Sequence, residues 1–181
     1  MHKGGRMRLV TRIDIVITGV PGAGKTTLAR ELSKEFELPL LSLDRVKEAV
    51  HAELRDVVGV KLRRVAGAVL WDLLADASRG AVVDIWLEPR RDGGVLAAGL
   101  IRAAVPIPVE VLCRVPPAVA VRRYADRVRG GPHLPPDLAT LAPIRRAAST
   151  MALHGLGPGC EVDSTTPVDI GQLARWIRSV L

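Results

Sequence analysis

Residues 13–27 constrain this chain more than any other stretch. A β-branched apolar run, Ile13-Asp14-Ile15-Val16-Ile17, leads into Gly19-Val20-Pro21-Gly22-Ala23-Gly24-Lys25-Thr26, and Thr27-Leu28-Ala29-Arg30-Glu31-Leu32 opens an amphipathic pattern. The run reads as a buried parallel strand. The loop fits G-x-x-x-x-G-K-[ST] at every fixed position, and the helix begins where that motif requires one. Glycines at 19, 22 and 24 permit backbone angles that a side chain forbids. Consecutive amide N–H groups can then point inward as an anion nest, and the helix that follows aims its positive end at the same place. Gly19, Pro21, Gly22, Ala23, Gly24, Lys25, Thr26 and Thr27 are therefore expected to hold the phosphates of a nucleoside triphosphate. Lys25 supplies a mobile charge for the β- and γ-phosphates, and Thr26 a hydroxyl for Mg²⁺.

At 181 residues the chain suits one domain, spanning 1–181, and is long enough to bury a full core. Hydrophobic residues reach 48%, which excludes a disordered chain, while aromatics are only 3%, so Val, Leu, Ile and Ala must build the interior. A net charge of +7 favours anionic partners. Nucleic acid is a possible partner but an unlikely one, because no aromatic platform for stacking bases is present. Cys113 and Cys160 lie far apart in apolar runs without metal-ligand spacing and read as buried thiols. The basic segment before Arg12 lacks the apolar stretch of a signal peptide, and no apolar run is long enough to span a membrane, so a cytoplasmic protein is expected. Residues 1–10 are expected to fray.

Along the chain, a helix is expected over 26–36, with Leu28, Leu32 and Phe36 on one face. A short strand follows over 38–43. Asp44 ends it, placed to cap the next helix. It also lies beyond the carboxyl end of a strand, where ligands sit in open parallel sheets. A carboxylate there can orient or deprotonate an attacking hydroxyl, and the two roles are compatible. Val46, Ala49, Val50, Leu54 and Val57 suggest an apolar stripe for that helix. Gly59 separates it from a longer one over 60–78, where Trp71 reads as packing. Arg63 and Arg64 there read as a solvated face within reach of a substrate anion. Residues 81–87 form the third expected strand. An acid inside such a run is costly unless paired, so Asp84 is either a structural hydrogen-bond acceptor or the carboxylate that holds Mg²⁺ directly or through water. Trp86, Glu88, Arg90 and Arg91 follow at the same edge and suit an acceptor pocket.

A helix from Asp92 or Gly93 to Ala104, a strand over 107–113 and a helix opened by Pro116-Pro117 come next. Arg122, Arg123, Arg127 and Arg129 fall within eight residues, with Arg123 and Arg127 expected on one helical face. Like charges at that spacing repel. A phosphate chain supplies the counter-charge, and the alternative is a solvated basic face. Residues 130–136 read as a mobile loop, and residues 117–137 as a lid that excludes water at closure, with His133 a possible substrate contact. A helix over 137–151 is expected to break at Pro143. A weak strand over 160–163 and a final helix capped near Asp169 complete the chain.

Together, the phosphate loop, the pattern Ser42-x-Asp44-Arg45-x-Lys47-Glu48, the acid Asp84 in an apolar strand, and Arg123-Tyr124 through Arg127 with His133 resemble the small P-loop kinases. Nucleoside-monophosphate, shikimate and gluconate kinases, chloramphenicol phosphotransferase and the bacterial AAA-domain small kinases belong to this group. The resemblance spans 13 to about 180. It implies an α/β three-layer sandwich, a five-stranded parallel sheet of order 2-3-1-4-5 with helices on both faces and a small Arg-rich lid. It implies ATP and Mg²⁺ as cofactors, Lys25 on the phosphates, Thr26 on the metal, and Asp44 on the acceptor hydroxyl. Arg123 and Arg127 would stabilise the transferring phosphoryl group as lid arginines. One departure stands out: shikimate-kinase-like enzymes carry Asp-x-Asp after the second strand, and here the first position is Ser42, which shifts the metal role toward Asp84. The function implied is an ATP-dependent kinase acting on a hydroxyl of a small molecule. The alternatives are a nucleotide-binding NTPase or switch without a small acceptor, and a polynucleotide 5′-kinase. A GTPase of the Asn-Lys-x-Asp type is excluded, because the chain contains no Asn.

Overall fold

The structure, a computed structural model, describes residues 12–127 and 132–181. The fraying expected of residues 1–10, and Arg129, lie outside these. Among the described residues the order is β1 (Ile15–Thr18), α1 (Lys25–Phe36), β2 (Leu40–Ser42), α2 (Leu43–Glu53), α3 (Gly59–Asp76), β3 (Val82–Asp84), α4 (Pro89–Arg102), β4 (Val109–Arg114), α5 (Pro117–Ala125), α6 (Leu138–Thr150), β5 (Gly159–Asp163) and α7 (Ile170–Ser179). The strands form one all-parallel sheet of order β2-β3-β1-β4-β5, as the resemblance implied.

β1 is buried along its whole length at the centre of the sheet, and its side chains alternate between two cores. Ile15 and Ile17 pack with α1, α5, α6 and α7, through Leu28, Leu32, Ala120, Ile144 and Ile177. Val16 packs on the other face with Ala66, Leu70 and Leu74 of α3 and Leu96 and Leu100 of α4. Trp71 is packing, as its pattern suggested: a Cβ added at Gly99 of α4 would run into its indole ring. No helix among the described residues is long and apolar enough to cross a membrane.

Several boundaries differ from the sequence reading, each for a physical reason. α2 starts at Leu43 with Ser42 as its N-cap residue, so Asp44 is not the cap but sits in the first turn. Only Leu43 is buried on α2; Val46 packs partly against the core, while the stripe Asp44, Lys47 and His51 faces a cavity. Val69 and Leu73 of α3 are exposed. α4 begins at Pro89, whose fixed φ suits a first helical turn. α5 ends at Ala125, so Arg127 lies beyond the helix and does not share a helical face with Arg123. α6 runs through Pro143 without a break. The proline removes one hydrogen bond near the start of the helix, while Ile144, Ala147 and Ala148 bury immediately after it and hold the helix on the sheet.

Candidate functional site

The loop between β1 and α1 is held open by its own geometry. Gly22 has φ 86, and a Cβ there would run into the carbonyl oxygen of Ala120 at the turn of α5. Gly24, at φ 84, is the N-cap residue of α1 and contributes no capping side chain. No side chain caps the start of α1, and its first turn contains no acid to oppose an anion. Lys25 Nζ donates to Val20 O at 3.1 Å, which lays the ammonium group across the loop.

Beneath the loop, Thr26 Oγ1 donates to Asp84 Oδ2 at 2.7 Å, and Ser42 Oγ donates to the same oxygen at 3.2 Å. Sheet register accounts for the meeting. Asp84 closes β3, opposite Ile17 on one side and Ser42 on the other. Asp84 is 5% exposed, and its carboxylate accepts from hydroxyls rather than from cations. An all-oxygen donor set of this kind fits a hard divalent cation such as Mg²⁺, with Thr26 and Asp84 as the groups to hold it. Ser42 is compatible with that arrangement. An aspartate in its place would set a second carboxylate against Asp84 at the same oxygen.

Asp44 stands across the cavity, its side chain half exposed, with Lys47 Nζ at 3.1 Å. Partial burial pushes its carboxyl up, but the charge and hydrogen bond of Lys47, joined by Lys25 and His133, outweigh that and hold it below the ordinary carboxylate range. The same helix brings Lys47 and His51 to the cavity wall. The spacing 44, 47, 51 is one stripe of a helix, and that was the signal in the sequence for these two residues. His133, from the segment before α6, bridges to α2 through Nε2 to Glu48 Oε1 at 2.7 Å. Trp86 and Arg63 close the wall on the β3 and α3 side. Arg64 is exposed.

The arginines separate. Arg123 Nη1 donates to Ser164 O at 2.8 Å and Nη2 to Thr165 O at 2.9 Å. These bonds hold the β5–α7 loop, and Arg123 also lines the cavity beside the phosphate loop. Ser164 in turn donates to Ala23 O at 2.6 Å, seating that loop against the phosphate loop. Sequence reasoning missed Ser164 because nothing local marks a contact across 141 positions. Arg127 lines the same cavity as Lys25, Thr26, Asp44 and Asp84, which encloses about 1180 Å³. Arg122 is exposed.

The matches to known proteins agree with this geometry. Residues 15–150 match the AAA_33 family model, an AAA domain. A candidate kinase from Chloroflexus aurantiacus superposes with a TM-score of 0.80 at 25% identity, covering 94% of this chain and 99% of that one. Shikimate kinase from Aquifex aeolicus shares the fold at 0.62 and 15% identity, over 93% and 95% of the two chains. A gluconokinase from Sinorhizobium meliloti does so at 0.59 and 18%, over 92% and 90%. No curated protein matches the chain in sequence. With the family model covering most of its length, and with the strand order and phosphate loop of the P-loop kinases, the chain belongs to the AAA_33 family of AAA domains.

Proposed function

We propose that the chain is an ATP-dependent kinase that moves a γ-phosphoryl group onto a hydroxyl of a small molecule. One observation carries this reading: the Thr26–Asp84 pair under the phosphate loop and the Asp44 carboxylate face a single cavity of about 1180 Å³. That volume exceeds the ~300–1,000 Å³ usual for one ligand and suits a nucleotide together with an acceptor. Kinase names among the structural neighbours, including shikimate kinase and gluconokinase, support the same class.

In this reading the loop amides and Lys25 bind the β- and γ-phosphates and keep the triphosphate in line with the acceptor. Mg²⁺, when bound at Thr26 and Asp84, supplies neutralisation of the charge on the phosphate oxygens. Asp44 accepts a hydrogen bond from the acceptor hydroxyl and orients its lone pair at phosphorus. As the bond from phosphorus to the ADP oxygen breaks and the bond to the acceptor oxygen forms, the hydroxyl proton passes to the Asp44 carboxylate. Its lowered pKa makes Asp44 a weak base, so orientation outweighs proton abstraction in its contribution. Arg127 on the cavity wall adds charge stabilisation to the transferring group.

The test is transfer from Mg·ATP into a metabolite pool, read by mass shift. Lys25→Ala is expected to lower transfer at least about a hundredfold with an unchanged melting temperature. Transfer at the parent rate by that variant excludes the phosphate loop as the active site.

A further inference from the structure

The acceptor side of the cavity has a chemistry of its own, and its reading rests on the kinase assignment above. We infer that the acceptor is a hydroxylated organic anion with an apolar body, and that Arg63, positioned by Asp92, binds its anionic group.

Charge accounting supports the anion. The carboxylates lining the cavity are Glu31, Asp44 and Asp84. Each is already engaged: Glu31 with Lys34, Asp44 with Lys47, and Asp84 with Thr26 and Ser42. Arg63 leans on Asp92, which lies behind the wall and is 8% exposed. That one carboxylate serves two guanidinium groups. Its Oδ2 accepts from Arg91 at 2.6 and 2.9 Å and from Arg63 Nη2 at 3.3 Å, and it also accepts from Glu88 N at 3.1 Å. Arg91 takes the closer contacts and also stacks over Trp86, with its guanidinium carbon 5.1 Å from the ring centroid. The Glu88 carboxylate also acts on Arg91, so Arg91 is doubly held while Arg63 keeps only the long contact to Asp92. The Arg63 side chain is 40% exposed, and among the described residues its hydrogen bonding is confined to that long contact. A guanidinium has five N–H donors in a planar fork suited to a carboxylate or a phosphate. His51, on the same wall, adds an Nδ1 that is buried and unpartnered among the described residues.

The body of the acceptor follows from the remaining wall. Val58, Val60, Leu62, Ile85 and Trp86 line this side. Val58 is 56% exposed and Val60 86% exposed, apolar surface that the fold itself does not bury. The apolar side chains of this wall offer few partners to the many hydroxyls of a polyol, and each hydroxyl desolvated without a partner costs free energy. A ring or alkyl segment bearing one reactive hydroxyl fits it, with the hydroxyl at Asp44 and the anion at Arg63.

The experiment uses the full chain with Mg·ATP and three matched probe classes: aromatic and alkyl hydroxy acids, their uncharged primary amides, and polyols such as glucose. The acids are expected to be phosphorylated with kcat/KM at least about tenfold above their amides and above the polyols. Arg63→Gln should raise KM for the acid about ten- to a hundredfold and leave KM for ATP in place. Arg63→Lys should recover part of the loss and Asp92→Asn should raise the same KM with kcat held, both at parental melting temperature. Equal use of amides or polyols, or an acid KM untouched by Arg63→Gln, overturns the inference while the kinase reading stands. ATP hydrolysis with no transfer to any class overturns both.

Discussion

In the proposed reading, environment divides two carboxylates, Asp84 and Asp44, between two tasks. Asp84 is closed in by the sheet and receives hydroxyl hydrogen bonds, the setting of a carboxylate that holds a hard cation. Asp44 sits at the cavity wall beside an ammonium group, and its carboxyl is held below the ordinary range by Lys47, Lys25 and His133 against the opposing effect of burial. A depressed pKa keeps the charged form present until the pH falls through that lowered value. The acid limb that Asp44 imposes on kcat is therefore expected below about pH 4, the ordinary aspartate value. Asp44→Asn should lower transfer by about 10²–10⁴-fold and leave KM for ATP nearly unchanged. An acid limb centred above pH 6 that vanishes in this variant, or equal loss of transfer and ATP affinity, would sink the assignment of Asp44 to the acceptor hydroxyl.

Elements, more than residues, decide what this chain's sequence discloses. α6 carries a proline as its sixth residue and still forms, in part because Asp137 caps it: the carboxylate accepts from Thr140 N at 2.9 Å, and Thr140 N also reaches Asp137 O. Asp137→Ala is expected to cost about 1 kcal/mol, measured by urea denaturation. An unchanged midpoint would mean that burial of Ile144 and Ala147 alone holds the helix. The phosphate loop and Asp84 were legible because each depends on local pattern, a fixed motif and an acid in an apolar run, while the strand order came from the family resemblance those motifs carry. α2 was misread because its periodicity, taken alone, does not say whether the face at 44, 47 and 51 or the face at 46, 50 and 54 meets the protein. Tertiary placement over the cavity settles that. The hydrogen bonds of Arg123 and Ser164 were opaque for the same reason, since their partners lie in loops that sequence distance separates.

At the scale of the whole molecule, the sheet has a working end and a holding end. The phosphate loop, Asp44 and Asp84 gather at the carboxyl ends of the strands, where an open parallel sheet binds ligands. Near the opposite end of β4, Glu110 is fully buried, and its carboxylate accepts from His154 N at 2.7 Å and Leu156 N at 2.6 Å. It ties the α6–β5 connector to the centre of the sheet, and the His154 ring nitrogen stands 3.7 Å away. Burial pushes this carboxyl up, but His154 and the two backbone donors together hold it below the ordinary range. The sign follows: its stabilisation is complete above about pH 4.3, the unfolded glutamate value, and is lost as the pH falls through the lower folded value. Glu110→Gln keeps the shape but faces one backbone N–H with an amide donor, which should cost about 1–3 kcal/mol at pH 7. The gap between parent and variant should narrow on acidification below pH 4, while kcat and KM at pH 7 stay at parental values. Urea denaturation across pH 3–8, run beside steady-state kinetics, checks both. A stability gap that is flat in pH would deny the buried carboxylate its role in holding the connector, and a change in KM would mean that the two ends of the sheet are coupled.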